Sequence, residues 1–116
     1  MDTIFSSASS SQKSAIKIIR VSGNKTKVLP KIFSFKPTQP RVASLRKIYD
    51  SENNVIDSVL IIYFPGPKTV TGEDVMEFHF HGSSYIEKKI YEALNKIRGV
   101  RVAGRGEFTK RAFLNG

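Results

Sequence analysis

The 116-residue sequence contains no cysteine and no long hydrophobic run. Without thiols, the chain can hold no disulfide framework, no thiolate metal site and no cysteine nucleophile. No apolar stretch approaches the roughly 20 residues that an α-helix needs to cross a bilayer. The N-terminal segment Met1–Phe5 also lacks the basic and apolar regions of a secretory signal. We therefore expect a soluble, cytoplasmic protein that does not contact a membrane.

Acidic residues are missing from a long N-terminal stretch. No carboxylate side chain occurs between Thr3 and Tyr49, whereas ten lysines and arginines lie there. The first 50 residues consequently carry a formal charge of +8, against +1 for the remaining 66. Such asymmetry favours an anionic partner, which includes RNA, a polyanionic small molecule or an acidic protein surface. A general basic bias of the protein's relatives explains the same excess, so charge alone leaves these alternatives open.

Chain length and hydrophobic periodicity predict one α+β domain that spans residues 1–116. The strands of an antiparallel or mixed sheet are predicted at Asp2–Ser7, Ala15–Val21, Val42–Tyr49, Val55–Phe64, Asp74–His81 and Val100–Ala103. Helices that pack on the sheet are predicted at Lys25–Phe33, from Ser83 or Ser84 to Gly99, and at Phe108–Leu114. Loops are predicted at Ser6–Ser14, Phe35–Arg41 and Pro65–Glu73. The run Asp2–Ser7 is expected to be an edge strand or the opening strand.

Glu77 is the first candidate for ligand binding. It lies in the predicted strand Asp74–His81, where alternation places it on the face opposite Met76, Phe78 and Phe80. A carboxylate on a partly enclosed face needs hydrogen-bond donors. Two parallel N–H bonds from the guanidine-like edge of a pterin would satisfy it. An ion pair with a Lys or Arg of a neighbouring strand would satisfy it equally.

Arg20 presents a similar choice. It ends an apolar strand and shares one strand face with Ile16 and Ile18. Its planar guanidinium suits a carbonyl oxygen or a carboxylate of a ligand. An arginine at a strand end is also commonly just solvated. The residues alone leave both interpretations open.

His79 and His81 share their predicted strand face with Glu77, and the His-x-His spacing is that of a possible metal site. Half-buried neutral histidines are the commoner explanation of such a pair, so we expect no metal. The glycines of Gly99–Gly106 have the spacing of a phosphate-binding loop but lack its Lys and its Ser or Thr. Since no convincing nucleophile or acid–base pair is present either, we expect no catalytic residue in this chain.

Five segments in a fixed order resemble a known family. They are Ile18–Gly23, Phe64–Pro67, Thr71–Glu77, His81–Gly82 and Gly106–Asn115, which read IIRVSG, FPGP, TGEDVME, HG and GEFTKRAFLN. Together they resemble the N-terminal domain of the MnmE (TrmE) family of bacterial tRNA-modification GTPases. Each segment alone is a weak signal, whereas five in register across nearly the whole chain are highly specific.

The resemblance implies a fold similar to the tetrahydrofolate-binding domain of glycine-cleavage T-proteins. It implies a domain that binds 5-formyl-tetrahydrofolate or a related folate and that forms a homodimer. The full-length protein would add a helical domain with an inserted GTPase domain, where GTP, Mg and K are expected. With its partner MnmG it would add a carboxymethylaminomethyl or aminomethyl group at C5 of the wobble uridine of tRNA.

Other functions remain open beside this expectation. A basic RNA-binding module that docks tRNA is the first alternative, and a folate-dependent one-carbon transferase that acts alone is the second. On the resemblance, the full-length protein is a GTP hydrolase, and the present chain by itself is non-catalytic.

The resemblance also implies specific ligand-binding residues. Arg20 and Glu77 occupy folate-binding positions of the family, and a third contact, a lysine, would fall just after Gly116. Since the sequence stops in a helix that is still beginning, we expect a fragment of a longer protein. Two segments depart from the family pattern: Ser10–Ser14 stands in place of a Pro-Gly-Arg-Gly loop, and Gly104–Glu107 in place of Arg-Pro-Gly-Glu.

The remaining shared residues have structural explanations. Phe108, Phe113 and Leu114 are expected to dock the last helix on the core. Glu107 and Arg111, four residues apart, are expected to pair along that helix. Positive φ angles in turns are expected at four glycines, namely Gly66, Gly72, Gly82 and Gly106.

Overall fold

The computed structural model describes residues 1–8 and 15–116, so the atypical segment Ser10–Ser14 lies outside the described residues. Within them, six strands form one sheet. The strands are β1 Thr3–Ser7, β2 Ile16–Ser22, β3 Ser44–Tyr49, β4 Val55–Phe64, β5 Val75–His81 and β6 Val100–Val102. The helical segments are a 3-10 helix at Asn24–Val28 and the α-helices α1 Leu29–Ile32, α2 Ser84–Asn95 and α3 Glu107–Leu114. The predicted α+β class and mixed sheet are confirmed.

The strands lie in the order β3-β4-β5-β2-β1-β6. Neighbouring strands are antiparallel except β1 and β6, which run parallel. The run Asp2–Ser7 does supply the opening strand, β1, but that strand is interior rather than at an edge. The reason is that the N–H of Thr3 donates to the carbonyl of Gly99 at 2.9 Å, which brings β6 alongside β1.

The hydrophobic core lies on one face of the sheet. Ile19 and Phe78 are paired across β2 and β5, and both are fully buried. Helix α2 covers this face with three buried residues at helical spacing, Ile86, Ile90 and Leu94. The Ser83 hydroxyl accepts a hydrogen bond from the N–H of Ile86 at 3.4 Å and so caps the helix, as predicted. The helix ends at Asn95, which is earlier than the predicted end at Gly99.

The predicted helix Lys25–Phe33 forms in two parts, the 3-10 helix and then α1. Pro30 lies in the first turn of α1, where its missing N–H removes no intrahelical hydrogen bond. Leu29 and Phe33 are fully buried and attach this segment to the core.

Helix α3 packs in a way that the sequence analysis did not predict. Phe113 is 84% exposed and Leu114 is 59% exposed, so the expectation that they dock the helix on the core is wrong. Arg111 is the buried residue of this helix, at 3% exposure. Its partner is Glu73 in the loop Pro65–Glu73, at 3.0 Å. The helix therefore rests on that loop through a charged contact instead of covering the core.

The glycine expectations hold at two of four positions. Gly72 and Gly106 have φ angles of 82° and 70°, whereas Gly66 and Gly82 are not left-handed. Gly66 precedes Pro67, and a residue before proline is restricted to extended conformations. The N–H of Gly82 donates to the carbonyl of Ala15 at 2.8 Å and prolongs the strand pairing.

Among the described residues, none of the helices has the length and apolar character needed to cross a bilayer.

Candidate ligand-binding site

Arg20 and Glu77, the two predicted ligand-binding residues, lie side by side on the sheet. They are register partners in the antiparallel β2–β5 pair, and Arg20 Nε donates to Glu77 Oε2 at 2.8 Å. Because side chains alternate along a strand, both lie on the face opposite the core residues Ile19 and Phe78. The ion-pair interpretation of Glu77 is confirmed, and the interpretation of Arg20 as merely solvated is wrong.

Glu77 has a second partner in His79. His79 Nε2 lies 2.8 Å from Glu77 Oε1, so each carboxylate oxygen has one neighbour. The hydrogen bond with His79 is the largest cause that holds the pKa of Glu77 below its usual value, and the bond from Arg20 acts in the same direction against the effect of burial. The Glu77 side chain is thus anionic at neutral pH although it is only 12% exposed. Such a carboxylate accepts further N–H donors without first losing a proton.

The His-x-His metal site gains no support from the geometry. Across residues 1–8 and 15–116, no group of three or more His, Asp or Glu side chains is arranged to hold a metal ion. His79 is bonded to Glu77, whereas His81 is exposed at the end of β5.

A cleft of about 280 Å³ opens beside the Arg20–Glu77 pair. Its lining residues come from strands β2, β4 and β5 and from two loops, and they are Arg20, Arg41, Phe64, Lys68, Thr69, Val70, Val75 and Glu77. The volume is close to the lower end of the range of small-molecule sites. The mixture of apolar surface with a few fixed charges is typical of a site that orients a ligand.

Arg41 occupies the wall of the cleft in a constrained conformation. Its φ angle is 63°, which is unusual for a residue with a side chain. Its Nη2 donates to the carbonyls of Lys68 at 2.6 Å and Pro65 at 3.3 Å. Its guanidinium also lies 5.7 Å from the ring centre of Phe64. The cation is therefore held by neutral groups.

A buried network fixes the other side of the loop Pro65–Glu73. Arg111 contacts Glu73 at 3.0 Å and Glu107 at 3.3 Å, which confirms the predicted Glu107–Arg111 pair. Glu73 also accepts a hydrogen bond from the Ser22 hydroxyl at 2.7 Å. The loop that supplies Lys68, Thr69 and Val70 to the cleft is thus tied to both β2 and α3.

Two further contacts fasten α3 to the same loop. The Asn115 amide donates to the carbonyl of Thr71 at 2.9 Å. A Cβ atom on Gly72 would lie 2.6 Å from the Cβ of Asn115, so this close approach requires glycine.

Sequence reasoning missed Arg41, Lys68 and Arg111 as parts of the site and its support. Arg41 and Lys68 lie in two proline-containing segments, both of which were correctly predicted to be loops. The two residues are 27 positions apart in the chain. The available signal was only that each is a cation next to a proline, which does not indicate that the two loops meet.

Comparisons with known proteins agree with the five sequence segments. The profile of a family described as "GTP-binding protein TrmE N-terminus" matches residues 3–116. Three similar proteins are each named "tRNA modification GTPase MnmE". The relative from Phenylobacterium zucineum is 42% identical, that from Rickettsia bellii 44%, and that from the Wolbachia pipientis of Culex pipiens 47%.

Each of these matches covers 99% of this chain but 26% of the relative, so the chain spans about a quarter of the length of the relatives it matches. The whole-protein family is enzymatic, since its members are tRNA modification GTPases. From the order of the motifs, the profile match and the identities, the chain belongs to the family of MnmE (TrmE) N-terminal domains.

Proposed function

We propose that this chain is the tetrahydrofolate-binding and homodimerisation module of a tRNA-modifying GTPase. Arg20 and Glu77 bind the pterin of 5-formyl-tetrahydrofolate or a related folate in this proposal. The observation that carries it is the cross-strand Arg20–Glu77 pair at 2.8 Å beside a cleft.

The chemistry of the pair matches that of a pterin. Glu77 is anionic, and its oxygens can accept the ring N–H and the exocyclic amine of the guanidine-like edge. Arg20 uses Nε for Glu77 and has further guanidinium donors to offer to a carbonyl oxygen of the ring. A ligand that carries both features would bind in one orientation, because donor and acceptor are fixed next to each other on paired strands.

The surroundings of the pair also suit a folate. Phe64, Val70 and Val75 supply apolar cleft surface on which a flat ring can pack. On the family resemblance, the chain is proposed to bind the one-carbon donor without performing catalysis by itself.

The remaining properties of the whole protein are proposed on family membership. They are a fold like that of the folate domain of glycine-cleavage T-proteins, cytoplasmic location, partnership with MnmG and tRNA, and modification of the wobble uridine at C5. GTP, Mg and K are proposed to bind in another part of the whole protein.

The test is calorimetric titration of this chain with 5-formyl-tetrahydrofolate. We expect saturable binding that weakens about tenfold or more in Glu77→Gln and in Arg20→Met, since a hydrogen bond to a charged group contributes about 1.5–3 kcal/mol. Glu87→Gln is the matched control. Glu87 also forms an ion pair with a residue of strand β2, Lys17, at 3.2 Å, but it does not line the cleft.

Two results would refute the proposal. One is the absence of binding by the unmodified chain. The other is an affinity of Glu77→Gln and Arg20→Met equal to that of Glu87→Gln, which would mean that folate binds elsewhere.

A further inference from the structure

We propose that Arg41, with Lys68 beside it, forms an anion subsite of the cleft and binds the glutamate carboxylates at the tail of a folate. The inference rests on the proposed function, and it extends the ligand contacts from the pterin to the opposite end of the molecule.

The lining of the cleft has an excess of positive charge, which favours an anionic ligand group. Its lining contains three cations, Arg20, Arg41 and Lys68, and one carboxylate, Glu77. Glu77 is the ion-pair partner of Arg20. Neither Arg41 nor Lys68 forms an ion pair with any carboxylate in the described part of the chain. The cleft therefore carries a positive charge that the described protein groups do not neutralise.

Arg41 is fixed in place without being neutralised. Its Nη2 donates to the carbonyls of Lys68 and Pro65, and its backbone N–H donates to the carbonyl of Tyr63 at 2.7 Å. Neither Nε nor Nη1 has a hydrogen-bond partner within the described residues, so both can donate to a ligand. A guanidinium fixed in this way loses little side-chain entropy when it binds a carboxylate.

Arg41 has its positive φ in a turn, in which the N–H of Val42 donates to the carbonyl of Gln39 at 3.3 Å. A residue with a Cβ at φ 63° is strained, and such residues are concentrated at binding sites as well as in turns. This conformation accompanies the placement of the Arg41 guanidinium over Phe64 and against the loop of Lys68. The strain therefore accompanies the positioning of a cation in the cleft.

A folate has chemistry that complements this charge distribution. It carries a guanidine-like pterin edge at one end and glutamate carboxylates at the other. With the pterin on Glu77 and Arg20, the carboxylates remain as the groups that need cations, and Arg41 and Lys68 are the cleft cations still available. Arginine suits this role because its planar donors match a carboxylate.

The experiment compares two ligands that differ only in the tail, 5-formyl-tetrahydrofolate and the carboxamide of 5-formyl-tetrahydropteroate, which lacks the glutamate and carries no carboxylate. We expect Arg41→Met to weaken binding of the first about three- to tenfold and to leave binding of the second within about twofold. Arg41→Lys, which retains the charge but not the planar donors, should fall between wild type and Arg41→Met. Circular dichroism melting establishes that each variant is folded.

Arg46→Met is the matched control. Arg46 is a half-buried arginine that is also held by backbone carbonyls, those of Lys36 at 2.9 Å and Leu45 at 3.0 Å, but it does not line the cleft. It should leave both affinities unchanged. If folded Arg41→Met loses the same affinity for both ligands, or loses affinity for neither, the proposed anion subsite is wrong.

A tail-only probe separates this inference from the proposed function. N-(4-aminobenzoyl)-L-glutamate carries the carboxylates without a pterin, and its weak binding can be followed by the ¹⁵N resonance of Arg41 Nε. A shift that saturates, and whose binding is lost in Arg41→Met, supports the subsite even if 5-formyl-tetrahydrofolate fails to bind. An unperturbed Arg41 resonance overturns the subsite, whatever the titration with folate shows.

Discussion

Arg20 and Arg111 form similar contacts with glutamates in different surroundings. The Arg20 side chain is 29% exposed and lies in the wall of an open cleft. The Arg111 side chain is 3% exposed and lies between Glu73 and Glu107. The same pairing chemistry thus occurs once where a ligand can reach it and once where it is enclosed.

The difference in burial distinguishes an ion pair that stabilises the structure from an ion pair that can bind a ligand. An enclosed cation is stable only if its partners stay in place, so Arg111 fixes the positions of Glu73 and of the loop that precedes it. An ion pair next to solvent contributes little to folding and remains available for new hydrogen bonds. We therefore interpret the Arg111 network as the support of the cleft and the Arg20–Glu77 pair as its binding surface.

The largest expected effect is the loss of stability in Arg111→Met. Removing one partner of a buried ion pair costs about 3–5 kcal/mol, and we expect about 3 kcal/mol because Glu73 and Glu107 retain 19% and 18% exposure. Arg20→Met should cost only about 1 kcal/mol, since Glu77 keeps His79 as a partner. Urea denaturation of both variants at neutral pH measures the two values.

Equal losses of unfolding free energy in Arg111→Met and Arg20→Met would contradict the distinction between the enclosed and the accessible ion pair. Arg101→Met is the control. Arg101 also binds Glu107 of helix α3, at 2.6 Å, but its side chain is 45% exposed. It should lower stability by less than Arg111→Met does, as expected for an ion pair near the surface.

A smaller effect is expected in acid at Glu107. The guanidinium of Arg101 and, next, the N–H of Gly104 hold the pKa of Glu107 at about 2, below the ordinary 4.5. A carboxylate with a lowered pKa stabilises the fold above pH 4.5, and this contribution is lost as the pH falls from 4.5 towards 2. We therefore expect Glu107→Gln to be less stable than wild type at pH 7, with a difference that shrinks below pH 4.5.

Urea denaturation at pH 7, 5, 4 and 3 measures this difference for wild type and Glu107→Gln. The matched control is Glu92→Gln, since Glu92 lies on the outer side of α2 and takes part in none of the ion pairs among the described residues. A stability difference for Glu107→Gln that stays constant across this range would contradict the proposed ion-pair role of Glu107.

The strands and helices could be predicted from local patterns. Alternation in β5 placed Glu77 opposite the core, and helical spacing in α2 identified its buried stripe. The pairing of Arg20 with Glu77 could not be derived in this way, since it depends on the register between strands 57 residues apart. The family resemblance supplied the two positions, and the register accounts for their proximity.

The errors share one physical cause, which is contact between a loop and a distant segment. Apolar Phe113 and Leu114 were expected to be buried, but α3 lies on a charged loop, and Arg111 takes the buried position instead. Arg41 was not predicted to lie at the site, because its position depends on hydrogen bonds to carbonyls of the loop that contains Lys68. A single sequence carries no pattern for such contacts.

The most direct test of the proposed binding surface is an NMR titration of the ¹⁵N-labelled chain with 5-formyl-tetrahydrofolate, observed at the arginine Nε–H resonances. Arg20 Nε donates to Glu77, so its resonance should shift progressively and saturate, whereas that of the enclosed Arg111 should stay in place. An unchanged Arg20 resonance at saturating ligand, or a larger shift at Arg111 than at Arg20, would contradict the assignment of the Arg20–Glu77 pair as the folate-binding surface.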